Sequence, residues 1–445
     1  LSPFSFFLLL NLALSGHSVV FQRASKSVRY LKATLICGFI ATIVAIGLLE
    51  LGAFKGLDAA LAGFIRRPGG ATPPGKLQYL LAIILAFGIS WTTIDISKVS
   101  LKVVIGLAAL AETVTAVWAA NLNGAFFSPF TSLTAIVAAW TISFIYAQST
   151  AGRRKRTINQ LLGERVSVRT FQSLLDCDVP LKFQGEVREA TVMVCEIFNH
   201  DELIETLKVH DYVAMSNAFL HNAADFLVER GAYLDECDGE SLRVVFGAPL
   251  PDANHAACAC KAALDLRERL SAVNQECLAL WGHTFDWRIG INSGEMVMAA
   301  YGSRRLGTFS VAGEPVEFAR RLCAANTIYG SRILIGSGTF NLAESEIEVR
   351  PMELVHRHHD DSNREEVYEL LGHHATFTDE EKQKRDMFWK GVVYYRERRW
   401  DDAISCFEAA RDNTPGDEPI DYLMDRIKQM RGSKVEALEW SNAQI

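Results

Sequence analysis

The sequence predicts an α+β domain placed between apolar N-terminal helices and a helical C-terminal segment. Three patterns carry that expectation. Four runs, roughly 33–54, 77–96, 103–120 and 126–147, are nearly free of charge and long enough to cross a hydrocarbon core about 30 Å thick. From residue 186, short apolar strands alternate with longer helical patterns, and from residue 379 the pattern is helical throughout. The 445 residues thus divide into transmembrane helices over 1–150, a juxtamembrane linker over 151–184, the α+β domain over 185–375 and the helical segment over 376–445.

Charge and cysteine usage narrow the function classes. A formal net charge of −7 argues against a nucleic-acid partner, since such domains carry a basic face. The nine cysteines form no CxxC pair, and Cys195, Cys323 and Cys406 lie in apolar runs. Buried reduced thiols and a cytosolic C-terminal part are the expectation.

The membrane part comes first. Residues 3–18 are a fifth candidate span, without a basic n-region or a cleavage site, and the leading Leu1 suggests a missing upstream region. The cluster Arg153, Arg154, Lys155 and Arg156 directly follows the last run and places the rest of the chain in the cytoplasm. Arg23, Lys26, Arg29 and Lys32 agree; Arg66, Arg67 and Lys76, in a loop expected outside, do not. Glu112 interrupts one run and reads as a tilted or interface-facing carboxylate sooner than as a sensor. Over 157–175, Ile158, Leu161, Leu162, Val166 and Val168 recur near helical spacing, as in a helix that pairs with its copy in a dimer or acts as a plain linker.

The α+β part begins with a strand over 190–195, helical pattern over 201–229, a hairpin of Tyr233–Cys237 and Ser241–Phe246 about Gly239, and a helix over 255–273. Strands over 286–291 and 295–299 flank an expected turn at Asn292-Ser293-Gly294. A strand over 308–311, a helix over 315–324 and a strand over 332–335 complete it. That order suggests a ferredoxin-like core with an added hairpin.

Farther on, Gly391, Tyr394, Ala403, Phe407, Ala410 and Pro415 match six of eight signature positions of a tetratricopeptide repeat, with Met387 and Lys390 at the other two. One repeat cannot bury its own apolar face, so it should dock on the preceding domain, on the helix over 419–430, or on a protein partner. His356, His358, His359, Asp360 and Asp361 are irregularly spaced and read as solvated surface rather than a metal site.

The strongest matches lie between residues 185 and 374. They are Arg188-Glu189-Ala190-Thr191-Val192, Gly231, Val245-Phe246-Gly247-Ala248-Pro249, Arg288-Ile289-Gly290-Ile291-Asn292-Ser293-Gly294-Glu295, and Gly313 with Val316, Ala319, Arg321 and Leu322. In this order they resemble the class III adenylate/guanylate cyclases. The resemblance implies in-line attack of a 3′-hydroxyl on its own α-phosphate, assisted by two metal ions on short carboxylates. It also implies bacterial membrane-sensor cyclases with a CHASE-type domain, a sensor absent here or upstream of Leu1.

The resemblance assigns the two metal positions to Glu196 and Glu240, where the family has aspartate. A further methylene moves a carboxylate by about 1.5 Å, and magnesium demands near-ideal octahedral distances. The phosphate-side turn holds Asn199 and Asp201 in place of a glycine and a hydroxyl residue. The base-reading pair corresponds to Glu236 and Ser310, and a glutamate there favours guanine. Glu317 stands at the ribose-orienting asparagine position, four residues before the retained Arg321. Together with Asp238, six acids would then surround one matched cation, and like charges about 4 Å apart cost around 4 kcal/mol at an effective dielectric near 20.

The resemblance and its departures together describe a class III cyclase-like protein of a bacterial inner membrane, paired with itself or with another cyclase-domain protein, whose site is degenerate. The alternative is an active cyclase that converts GTP, in preference to ATP, with Mg or Mn. A third reading makes 157–445 a docking platform.

Overall fold

The computed structural model describes residues 19–64, 76–96, 99–122, 129–177, 183–302, 307–356, 364–411 and 416–432. The candidate span over 3–18, Arg66, Arg67, His358, His359, Asp360, Asp361 and Pro415 lie outside them. The chain divides into two compact units, Leu1–Gln160 and Leu161–Ile445.

In the first unit the apolar runs form α1 (Val19–Glu50), α2 (Lys55–Phe64), α3 (Lys76–Asp95), α4 (Val99–Leu122) and α5 (Pro129–Gln148), followed by α6 (Thr150–Leu161). Among the described residues three stretches are long and apolar enough to cross a membrane: Leu31–Glu50, Gln78–Asp95 and Pro129–Gln148, with mean hydropathies of 2.1, 1.3 and 1.6. Their contacts are made by Ala41, Ala45, Ala82, Ala86, Ala135 and Ala139, all fully buried, because small side chains let helices approach closely. Leu35, Ile36 and Phe39 face outward. Glu112 is half-buried on α4.

The single helix expected over 157–175 is broken. After α6 comes a 3-10 turn, Gly163–Arg165, and then α7 (Val168–Asp176). Gly163 takes a left-handed φ of 46°, and the Ser167 hydroxyl caps α7 by accepting from the Thr170 amide. Glycine reaches that backbone region at no steric cost, so the helical spacing continues across a real break.

The second unit holds a sheet of β1 (Glu186–Ile197), β2 (Tyr233–Cys237), β3 (Ser241–Phe246), β4 (Trp287–Gly302), β5 (Gly307–Ala312), β6 (Ile333–Gly336), β7 (Ile347–His356) and β8 (Arg364–His373). Its order is β2-β3-β1-β4-β6-β8-β7, with β5 paired to β4. Between β1 and β2 lie α8 (His200–Thr206), α9 (Val209–Leu220), a π-turn at His221–Asp225 and α10 (Phe226–Glu229). Between β3 and β4 lies α11 (His255–Trp281). β2-β3-β1-β4 are antiparallel throughout, the interleaved order of a ferredoxin-like core. The parallel β4–β6 pair makes the sheet mixed.

The turn expected at Asn292-Ser293-Gly294 does not exist. β4 runs straight through it, in register with β1 from Trp287 opposite Ile197 to Met298 opposite Glu186. Gly294 lies beneath Pro315 of α12 (Glu314–Tyr329), where a Cβ would sit 2.8 Å from the proline ring. The glycine serves close packing rather than a turn. The β7–β8 hairpin and α13 (Ser337–Ala343) have no counterpart among the expected elements.

Along β1, Met193, Cys195 and Ile197 enter the core beneath α9 and α11, and strand alternation leaves Val192 and Val194 on the face that α12 covers. α14 (Asp379–Arg396), α15 (Trp400–Ala410) and α16 (Glu418–Gly432) complete the unit. Phe388, Phe407 and Leu423 of these helices share a core with Leu322, Tyr329 and Met352. Two of the expected docking partners are therefore used together: the preceding domain and the following helix. Gly391 lies against the Phe407 ring, which a Cβ would approach to 2.7 Å. Arg350 of β7 joins Glu369 of β8 at 2.6 Å and both oxygens of Asp417 at 2.8 and 2.9 Å. Burial would lower its pKa, but the two acids hold it above the ordinary value.

At Gly290 a Cβ would overlap the Ala319 carbonyl oxygen and the Cys323 amide nitrogen, whereas one at Gly239 meets nothing within 4 Å. Gly290→Ala is expected to lower the thermal midpoint of the second unit by at least about 5 °C and Gly239→Ala to change it by less than about 2 °C. Thermal unfolding followed by circular dichroism checks the contrast.

Candidate functional site

The site is assembled where β1, the β2–β3 hairpin and α12 meet. β1 is an interior strand paired with β3 and β4, so its last residues are fixed from both sides. Glu196 stands opposite Ser241 on β3 and Arg288 on β4. The Ile197 amide donates to the Glu240 carbonyl at 2.9 Å, which sets both metal-position glutamates at one end of the sheet.

Glu196 is half-buried. Burial raises its pKa first; Arg320 opposes the rise, and Glu240 and Asp238 add to it. The charges of Glu240 and Asp238 therefore reach Glu196. The Cys323 thiol also lies beside Glu196, and burial, Glu196 and Cys195 push it well above its usual value.

The hairpin turn is tied by Asp238. Its Oδ1 accepts from the amides of Glu240 (3.1 Å) and Ser241 (2.7 Å), and its Oδ2 from the Ser241 hydroxyl (3.1 Å). Asp238 thus acts as an Asx-type turn residue that also lends charge to the cleft. Glu240 projects toward α8, where His200 Nε2 meets its Oε2 at 2.7 Å. The same imidazole reaches Asp201 through Nδ1 at 3.2 Å, but the Asp201 side chain is 94% exposed. Asn199 is committed elsewhere. Its Nδ2 donates to the Thr284 carbonyl at 2.9 Å, and its Oδ1 accepts from the Asp286 amide at 2.7 Å.

The base-reading pair sits on β2 and β5. Glu236 is half-exposed and meets Arg243 Nη1 at 2.9 Å. The same guanidinium gives its Nε to the fully buried Asp235 carboxylate at 2.6 Å. Ser310 is half-buried, opposite Ala299 of β4. Two ties hold the strands together: Tyr233 Oη donates to the Phe309 carbonyl, and Arg165 Nη1 donates to the Asp235 carbonyl (2.6 Å) and to Thr308 Oγ1 (2.8 Å).

On α12, Glu317 is exposed and pairs with Arg320 one turn on, at 3.7 Å. Arg321 leans the other way, 3.8 Å from Glu314 and 5.0 Å above the Phe318 ring. So it is Arg320, not the motif-matched Arg321, that acts on Glu196. The expectation of six acids around one cation needs correcting. Arg243, His200 and Arg320 each engage at least one of them, because cross-strand and i,i+3 neighbours supply partners that a motif alignment does not count. The spacing of Glu317 and Arg320 was the one signal in the sequence that could have revealed this.

Glu196 and Glu240, set at one end of the sheet, are the two carboxylates that would hold metal ions here. One oxygen of Glu240 is engaged by His200, and among the described residues no group of three or more His, Cys, Asp or Glu is placed to hold a metal ion. A separate cavity of about 610 Å³ lies between Gly294, Pro315, Gly338 and Glu365. It contains none of the predicted site residues.

Residues 184–359 match the family model for the adenylate and guanylate cyclase catalytic domain. A 185-residue stretch is 25% identical to adenylate cyclase 1 of Rhizobium meliloti, covering 42% of this chain and 28% of that protein. Another, of 187 residues, is 27% identical to an uncharacterized protein of Mycobacterium tuberculosis, covering 42% and 31%. The chain thus spans about three tenths of the length of these curated relatives. Among solved structures, the guanylyl cyclase Cya2 aligns with a TM-score of 0.40 and 24% identity over 44% of this chain and 97% of that one. The adenylyl cyclase CyaB from P. aeruginosa aligns at 0.39 and 23% over 42% and 95%. At these values the structural likeness carries no argument about chemistry.

Folded Glu196 holds its proton more tightly than the unfolded chain does. Its contribution to stability is therefore complete below the unfolded value of about 4.3 and is lost as pH rises through the raised one. Glu196→Gln keeps the shape without the charge. The variant is expected to melt above the native protein at about pH 7.5 and level with it at about pH 4; equal melting at both would remove the burial penalty.

Proposed function

We propose, from the premise that residues 184–359 form a domain of the adenylate and guanylate cyclase type, that this chain is a membrane-anchored regulatory pseudo-cyclase. It transmits or modulates a signal through pairing of that domain, with a second copy or with another cyclase-domain protein. One observation carries the reading: three of the acids at the metal, base and ribose positions already have cationic or hydrogen-bonding partners in their own chain. Glu240 has His200, Glu236 has Arg243, and Glu317 has Arg320. A metal ion at Glu240 would have to displace the imidazole, and a guanine at Glu236 would compete with a guanidinium.

Anchoring rests on the three apolar helices. The basic residues after the third of them favour a bacterial inner membrane with the second unit on the cytoplasmic side. The hairpin α14–α15 reads as a tetratricopeptide-like unit, supported by the buried Ala403, Phe407 and Ala410 and by the contact at Gly391.

The test is direct. The full chain in lipid nanodiscs is given GTP or ATP with Mg2+ or Mn2+, and cyclic product is measured by mass spectrometry. No product above a protein-free blank is expected. Turnover that disappears in Glu240→Ala would overturn the reading and establish the enzymatic alternative, with guanine preferred if Glu236 reads the base.

A further inference from the structure

Helix α12 is gripped from two sides. On one, Gly290 and Gly294 of β4 let it lie almost on the strand backbone. On the other, Phe318, Leu322 and Tyr329 share a single apolar cluster with Phe388, Phe407 and Leu423 of the C-terminal helices. The grip is closest at the end of α12. The Tyr329 ring meets the Tyr422 ring edge-on at 5.2 Å. Gly330 closes the helix with a left-handed φ of 70°, and Glu418 at the start of α16 fills the space where its Cβ would be.

That start of α16 is itself bolted to the sheet. Asp417, directly before Glu418, takes both terminal nitrogens of Arg350, whose remaining nitrogen goes to Glu369. Arg426, one turn past Tyr422, donates to Glu353 of β7 and to the Tyr422 hydroxyl, at 2.8 and 2.7 Å. The charged contacts and the aromatic contact thus converge on one place, the C-terminal cap of α12. The opposite half of the same helix carries Arg320, which acts on Glu196. A helix transmits displacement along its axis because its backbone hydrogen bonds fix its length.

The geometry points to a conformational device: α14–α16 are a clamp that sets where the first two turns of α12 stand against Glu196. The clamp regulates the site described above and rests on that site being the functional one. A partner that binds or loosens the C-terminal helices changes the site through α12, with no contact to the site itself.

Hydrogen–deuterium exchange on the full chain, without nucleotide, tests this. Asp417→Ala removes one of the two acidic partners of Arg350 beside the cap. Residues 314–324 are expected to exchange roughly tenfold faster, with the hairpin 233–246 unchanged. Asp417→Asn, which keeps the side-chain shape, should give the same pattern and guards against a variant that fails to accumulate. Arg399→Ala removes an exposed pair with Asp402, within α14–α15 and outside α16, and should leave 314–324 as they are. Acceleration confined to α14–α16, or spread equally over β1–β4, overturns the clamp. Cyclic-nucleotide turnover would sink the regulatory reading of the site but leave this result standing, so the two failures are distinguishable.

Discussion

Everything in the candidate site depends on how closely α12 lies on β4. Two glycines make that approach possible, and polar groups fix its register. The Asn326 side-chain nitrogen donates to the Ile289 carbonyl at 2.9 Å, and the Cys323 thiol donates to the Arg288 carbonyl at 3.2 Å. With the helix held there, Arg320 and Cys323 come over the end of β1, and Glu196 is enclosed between them and the hairpin. A side chain at position 290 would lift the helix, and with it the guanidinium that offsets the charge of Glu196. The backbone approach and the electrostatics are one constraint.

The pocket has settled its charge locally. A divalent ion would neutralise several carboxylates at once; here, single side chains meet them one at a time, over 2.7 to 3.7 Å. The difference matters for specificity. A metal ion leaves coordination positions open to a phosphate, whereas the Glu240 and Glu236 oxygens here already meet side chains of their own chain.

Much of this is legible in the sequence, for physical reasons that differ by element. The hairpin Tyr233–Cys237 and Ser241–Phe246 shows itself because alternation and a glycine turn are local signals. β5 and α12 likewise lie within a residue or a few of where apolar spacing puts them. The stretch at Asn292-Ser293-Gly294 misleads because small polar residues beside glycine mark turns, yet here glycine serves a helix approaching from elsewhere in the chain. β7 and β8 escape notice because Glu348, Glu353 and Glu369 sit at buried strand positions. Glu348 and Glu353 find their partners Arg385 and Arg426 on helices that follow both strands, a pairing no local window contains. In the site, the positions of Glu196, Glu240, Glu236 and Glu317 come from the motif, but their partners do not. His200 reads as part of a phosphate turn, and the motif favours Arg321 over the neighbouring Arg320.

The Arg350 contacts also bear on how the protein can be cut for study. The cyclase-family match ends at residue 359, an inviting place to stop an expression fragment. Stopping there discards Glu369 and Asp417 together and removes β8 from between β6 and β7. A cation meant to be enclosed would face its surroundings with neither counter-charge, at a cost of several kcal/mol. A fragment that keeps these contacts therefore runs on to residue 432, well past the boundary that homology alone would draw.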